Sequence, residues 1–421
     1  MTSSTPAPQA PPARTAPLLT ALVAAFFFAL PFHRPVLTRA LGPALGLPEL
    51  LFPLLALALV LAARSRLRLA PWPGVLLAAV LAVGFSPAIF ASDRPVASAA
   101  QLAVFAYIAF IYQAGVLVKT LGLRRPALLA FAAGAVSASL VGLAGAILNH
   151  LGFGPFGLSI DDPWLSPPPR PIGPTESPTM LALIAFAGAV ALVTLHRQGE
   201  LSRRATGAGL LILGLTILAT QSRVVLASLG ALGAVAAMQG KPNRQRVWGR
   251  VSVVAIAGFL ALTLLWRILP LQPHWPFVDT RISNYHVRHQ IAGRMFLDHP
   301  AAGVGLERFR AFWPHYYLPE RYDRAYDGGR EFQRGFPFDP HNTLLGFLAE
   351  GGIPGGLTVI AVAVLVWRRR APGPETVALV VATVLNTLHT DMLTERSTWA
   401  LLGLLAMAAP AVASRRNGWT L

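Results

Sequence analysis

Residues 95–125 read PVASAAQLAVFAYIAFIYQAGVLVKTLGLRR. An apolar run at 99–118 ends on a basic cluster, Lys119, Arg124 and Arg125, and a second apolar run follows at 126–149. A helix needs about 20 predominantly apolar residues to cross a bilayer, so each run is long enough to span. The basic break between them has the character of a cytoplasmic connection, where Lys and Arg concentrate. The same reading, carried outward, finds about 12 spans of this length. They lie near 17–33, 45–63, 72–90, 99–118, 126–149, 177–196, 205–220, 222–239, 250–268, 342–367, 376–390 and 397–413.

Composition agrees. Of the 421 residues 54% are hydrophobic and 13% charged, against roughly 25% charged in a soluble protein. A water-soluble globular domain is not expected. The net charge of +17 raises the question of nucleic acid. The cations, however, gather in every second connection: Arg64/Arg66/Arg68, Lys119/Arg124/Arg125, Arg197/Arg203/Arg204, Lys241/Arg244/Arg246/Arg250, Arg368/Arg369/Arg370 and Arg415/Arg416. Under the positive-inside rule these connections and both termini are cytoplasmic. The whole excess then sits on one side and the other face is neutral. The charge is a topology signal, and no nucleic-acid partner is expected. The absence of Cys excludes disulfides, thiol catalysis and Cys-ligated metals.

The expected organisation is an all-α polytopic membrane protein. A disordered Pro/Ala/Ser-rich cytoplasmic tail covers 1–16, without a cleavable signal peptide. Transmembrane helices 1–9 cover 17–268, a large periplasmic loop 269–340, helices 10–12 341–413, and a cytoplasmic tail 414–421. No internal repeat stands out. The large loop is too long for a simple turn and is expected to fold as a cap carrying helices. Within it Ile282, Tyr285, Ile291, Met295 and Phe296 recur at roughly helical spacing. That predicts an amphipathic helix lying along the membrane.

The chemistry is expected at the outer ends. With the amino terminus inside, spans 6, 8, 10 and 12 begin outside, so the positive ends of their dipoles face outward. Their entries read Thr175-Glu176-Ser177-Pro178, Thr220-Gln221-Ser222-Arg223, Asp339-Pro340-His341-Asn342 and Glu395-Arg396-Ser397. Helix N-termini beside Arg form a site for a polyanion such as pyrophosphate. Arg223 is the sharpest single residue, because an Arg between two apolar runs marks function by default. The alternatives are snorkelling to the interface or pairing with Glu350. Arg170 stands in a Pro-rich loop and is either a site residue or solvated. His341 opens a helix whose N-terminus disfavours the imidazolium. A neutral ring beside an anion site suits proton abstraction from a sugar hydroxyl. The bland reading is a structural His.

Glu350 lies in the apolar layer of the same helix, ahead of Gly351, Gly352, Pro354, Gly355 and Gly356, which allow a kink or close contact. The outer loop adds Arg281, Arg288 and Arg294, then Gly303-Val304-Gly305, which is not a nucleotide loop. Trp313, His315, Tyr316 and Tyr317 either stack on sugars or anchor the loop. The Arg and acidic residues of 320–334 look like a surface ion-pair network. Asp161-Asp162 has no ligand spacing around it, so no metal is expected. Asp93 has an ordinary ion-pair partner in Arg94.

In their order these motifs resemble the O-antigen ligase and polymerase family. They are Arg170…Ser177-Pro178-Thr179, Thr220-Gln221-Ser222-Arg223, Arg288…His299-Pro300…Gly303-Val304-Gly305, and Pro340-His341-Asn342…Glu350-Gly351-Gly352-Ile353-Pro354-Gly355. The last is the most specific. Two positions depart from the pattern: Ser177-Pro178-Thr179, where many relatives have Asn-Pro-Asn, and His289, where many have Trp. The resemblance implies a GT-C-like inner-membrane glycosyltransferase of about twelve spans. It would move a glycan from undecaprenyl pyrophosphate to lipid A–core at the periplasmic face, with inversion and with neither metal nor cofactor. His341 would be the general base, and Arg223 and Arg288 the functional arginines. Arg170, Arg281, Asn342 and Glu350 would bind substrate. The related expectation is an O-antigen polymerase; a twelve-span transporter or flippase is the expectation from a different class.

Overall fold

Inside a bilayer every backbone N–H and C=O must pair within the protein, so apolar runs of this length fold as helices. The computed structural model of the protein describes residues 17–33, 46–63, 72–154, 157–160, 169–175, 177–220, 222, 282–317, 340–371, 373–387 and 395–406. Among them the helices are α1 (Pro17–Ala29), α2 (Leu47–Ala63), α3 (Pro73–Ala91), α4 (Pro95–Thr120), α5 (Arg124–His150), α6 (Pro178–Arg197) and α7 (Arg203–Thr220). Then follow α8 (Ile282–Asp298), α9 (Phe309–Tyr316), α10 (Thr343–Arg369), α11 (Pro374–Thr387) and α12 (Arg396–Leu404). Five of these, α3, α4, α5, α6 and α10, are long and apolar enough to cross a membrane.

The protein is therefore mostly helical and consistent with a polytopic membrane protein. Helices stand on every expected run except the eighth and ninth, which, apart from Ser222, lie outside the described residues. One correction concerns the all-α expectation. Strands β1 (Ser159–Ile160) and β2 (Arg170–Pro171) pair antiparallel, Ser159 opposite Pro171 and Ile160 opposite Arg170. The pairing continues as Ile172 N–H and Gly173 N–H both donate to Leu158 O at 2.9 Å. It holds this loop down on α5, where a Cβ on Gly173 would come within 2.9 Å of Ala138 O.

In the bundle α4 packs between α3 and α12, α5 between α1 and α6, α7 against α6, and α10 against α3. The core is aromatic and aliphatic, with Phe26, Phe27, Phe85, Phe105, Phe131 and Phe186 fully buried. Phe85, Phe105 and Phe347 join α3, α4 and α10, with ring centroids 5.0 to 5.5 Å apart. Leu54, Leu57 and Leu61 of α2 stay exposed, as a bilayer-facing surface would.

The described basic clusters meet at one end of the bundle. Lys119 donates to Ala406 O, Arg197 pairs with Glu375, Arg125 lies 3.8 Å from Glu200, and Ala371 N–H donates to Leu405 O. The opposite end of α3 and α4 carries a separate small core. Ile291, Ala292, Met295, Val304, Phe309, Trp313 and Ala349 bury one another there, with Leu345 packed against them.

Candidate active site

The helix entries fold as their sequences suggest, but their caps are internal. Ser177 Oγ accepts from Met180 N–H at 3.1 Å, with Pro178 in the first turn of α6. Asn342 Oδ1 accepts from Leu345 N–H at 3.0 Å. Glu395, rather than Ser397, caps α12, accepting from Ser397 N–H at 3.0 Å and Thr398 N–H at 2.5 Å. These acceptors satisfy N–H groups that an anion would otherwise use, and Glu395 places a carboxylate on the dipole at the α12 entry. The α12 entry is also recessed: Arg396 pairs with Glu49 and donates to Phe32 O at 3.0 Å. Gln221 and Arg223 of the span-8 entry, and Asp339 before α10, lie outside the described residues.

His341 precedes the Asn342 cap with φ +46°. That left-handed conformation is uncommon for a residue with a side chain and recurs at functional positions. The residue is half-buried and fixed between Pro340 and the capped first turn of α10.

Further along, at Gly352, α10 breaks. Gly352 has φ +63°, ψ −155°, and the main-chain groups freed by the break pair with the cap. Val304 N–H donates to Ala349 O at 3.0 Å, Gly305 N–H to Glu350 O at 3.0 Å, and Ile353 N–H to Pro300 O at 2.8 Å. The Glu350 carboxylate accepts from Phe309 N–H, the first amide of α9, at 2.8 Å. The glycines are required by contact. A Cβ on Gly352 would lie 2.6 Å from Pro300 O, and one on Gly303 would overlap the main chain of Glu350. The two glycine motifs of the sequence are the two faces of one main-chain clamp.

The clamp sets α8 alongside the first half of α10. The apolar face of α8, Ile291, Ala292 and Met295, packs against protein in the small core with Ala349 and Leu345. This corrects the expectation of a helix lying along the membrane: the face is covered by α9 and α10. As many residues separate Arg288 from Pro300 along the chain as separate His341 from Ile353. At 1.5 Å per helical residue, Arg288 is therefore carried to the His341 end of the pair. Arg288 is half-buried.

Other expected residues have distinct places. Arg170 Nε donates to Thr220 O at 2.9 Å, so its guanidinium caps the last turn of α7, two residues before Ser222. Arg281 is outside the described residues, as is 318–339, where the sequence suggests an ion-pair network. Asp161-Asp162 is also outside them. Asp93 pairs with Arg308 rather than with Arg94: Arg308 Nε donates to Oδ1 at 2.6 Å and Nη2 to Oδ2 at 2.5 Å. Those hydrogen bonds hold the Asp93 carboxyl below its ordinary value. Ser98 Oγ donates to Leu306 O at 2.9 Å, so the α3–α4 turn is a second anchor for the cap. Trp313 is buried in the small core and serves packing. Burial, and then a hydrogen bond to Asp298, raises the Tyr316 hydroxyl above its usual value.

The family model described as O-Antigen ligase matches residues 208–360. Over that stretch the chain is similar to the O-antigen ligase family. It begins in α7, takes in α8, the clamp and α9, and ends in α10 beyond the kink, so His341, Arg223 and Arg288 lie within it and Arg170 outside. Members of this family are glycosyltransferase-like enzymes of O-antigen assembly. No curated protein matches the chain. Sequence reasoning missed Arg308 and the capping role of Glu350. The only sequence signal for either was the pair of glycine motifs, which show that the backbone must approach something and not what it approaches.

Proposed function

We propose that this protein is an O-antigen ligase, moving a glycan from undecaprenyl pyrophosphate to a sugar hydroxyl of lipid A–core. The site faces the periplasm, in a bacterial inner-membrane protein of about twelve spans with cytoplasmic termini and a GT-C-like architecture. The observation that carries the reading is the family match over the segment in which His341, in a left-handed conformation, abuts a capped helix with α8 beside it. His341 takes the proton of the acceptor hydroxyl. The hydroxyl oxygen attacks the anomeric carbon, and the bond from that carbon to the pyrophosphate oxygen breaks. The electron pair leaves with undecaprenyl pyrophosphate, and a single displacement inverts the anomeric centre. Arg223 and Arg288 hold the pyrophosphate and stabilise its developing charge, with Arg170 and Arg281 bordering the donor. Neither a metal nor a cofactor has a step in this scheme.

The test is reconstitution with undecaprenyl-pyrophosphate-linked O-antigen and lipid A–core. Glycan transfer to lipid A–core is expected. Growth of the donor glycan without lipid A–core would mean a polymerase instead, and donor movement across vesicles without transfer a flippase. His341→Ala should lower transfer by on the order of a hundredfold or more; undiminished transfer removes the base role. Arg223→Ala should weaken donor binding, and unchanged binding removes its pyrophosphate role.

A further inference from the structure

We infer that Glu350 is a positioning residue, which holds the arginine-bearing helix α8 in register with the His341 end of α10. The inference deepens the proposed function and rests on it for the identity of the two groups being aligned. Its basis is the double use of one residue at the break. The main-chain oxygen of Glu350 accepts from Gly305 N–H, and its side-chain oxygen accepts from Phe309 N–H, at 3.0 and 2.8 Å. The acid therefore grips both ends of the segment between Gly305 and α9.

Helix α8 ends at Asp298 and is followed by His299 and then Pro300, whose oxygen takes Ile353 N–H across the break. The contacts on either side of Gly352 thus convert a loop and two helix pieces into one body. Within that body the chain has no other side chain, among the described residues, that joins the break to the first amide of α9. Apolar packing of Ile291, Ala292 and Met295 against Ala349 and Leu345 holds α8 on α10, and the hydrogen bonds at the break, being directional, fix its register. Arg308 and Ser98 then fix the body to the α3–α4 turn. A carboxylate is suited to this place because it accepts without donating, and the N-terminus of α9 favours negative charge. The charge itself is secondary: a neutral acceptor of the same length fills the same geometry.

The prediction separates positioning from a substrate contact. Glu350→Ala should lower kcat for glycan transfer on the order of a hundredfold, the scale of a misplacement of about 1 Å, with KM for the donor nearly unchanged. Glu350→Gln keeps an acceptor oxygen and should recover transfer to within about threefold of the wild type, since a neutral acceptor loses only part of a charged hydrogen bond. Gly303→Ala, which displaces the same clamp from its other face, should lower kcat similarly. The double variant with Glu350→Ala should be little worse than either alone, because the two act on one contact. If Gln were as damaging as Ala, the carboxylate would have a role in substrate binding or proton transfer and the inference would fall. A readout independent of activity is hydrogen exchange in the full-length protein. Glu350→Ala should speed exchange at the amides of Val304, Gly305 and Phe309 and leave α4 and α5 protected. Unchanged protection at those three amides would overturn the clamp whatever the enzyme transfers. Wild-type failure to use lipid A–core, with the exchange result intact, would overturn only the ligase reading.

Discussion

The bundle and the cap are held by different means. In the bundle, α3, α4 and α10 meet through Phe85, Phe105 and Phe347, and α1 and α5 through apolar side chains such as Phe26, Phe27 and Phe131 of the same core. The cap has a core of its own, which takes in Ala349 and Leu345 of α10, and its seat on the bundle adds main-chain hydrogen bonds at the α10 break and the contacts of Arg308 and Ser98. Side-chain packing tolerates a change of residue if the volume is kept. Main-chain seating does not, because it depends on particular glycines and on backbone groups that have no substitute. The His341 end of α10 thus meets the cap through contacts whose loss is expected to leave the bundle folded.

The largest expected effect belongs to the bundle. Phe85→Ala removes the ring that touches both Phe105 and Phe347, and should lower stability by about 3–5 kcal/mol, read as a fall in thermal midpoint in detergent. A drop as small as that of an exposed residue would mean that α10 is seated by the cap and not by the aromatic cluster. Next comes the cap. Gly352→Ala forces a side chain into φ +63° and to within 2.6 Å of Pro300 O, a strain of about 1–3 kcal/mol. It should remove transfer activity and release the cap amides to hydrogen exchange while the bundle's thermal midpoint moves little. A global loss of folding would erase the distinction between the two regions.

The smallest effect is expected at Asp93. The carboxyl is held below its ordinary value by Arg308, so its contribution is complete above the unfolded carboxylate pKa of about 3.9. It is lost only as pH falls through the lower folded value. Thermal unfolding of the wild type should therefore show this contribution at neutral pH and lose it in acid. Asp93→Asn should remove that acid dependence and cost little at neutral pH, since the carboxylate is exposed. A neutral-pH effect as large as that of Gly352→Ala would make the turn, and not the α10 break, the principal seat of the cap.

Much of this was readable before any coordinates. Spans near 72–90, 99–118, 126–149, 177–196 and 342–367 became helices because apolar length is a local property that the bilayer enforces. Ser177 followed by Pro178 reads as a helix entry, and Ser177 caps α6. The apolar face of α8 was legible from Ile291 and Met295, but its target was not, because periodicity says which face is buried and not what buries it. Glu350 looked like a substrate ligand or an Arg partner. Its carboxylate accepts from an amide of Phe309, a main-chain group that composition cannot point to. Asp93 had an Arg as its sequence neighbour, yet the geometry of the α3–α4 turn delivered Arg308, more than two hundred residues away.

By itself, then, the sequence determined that the chain is a multi-span helical protein with basic clusters in alternate connections, and it singled out His341, Arg223 and Arg288 as candidates by motif order. Hydropathy and charge clusters settle the first because each acts over a few consecutive residues. Only the tertiary structure decided that the glycine motifs around Gly303 and Gly352 are one clamp, that Arg170 caps α7, and that α8 lies beside the first half of α10. Those facts depend on which backbone groups are left unpaired when a helix breaks and on which distant segment arrives to pair with them.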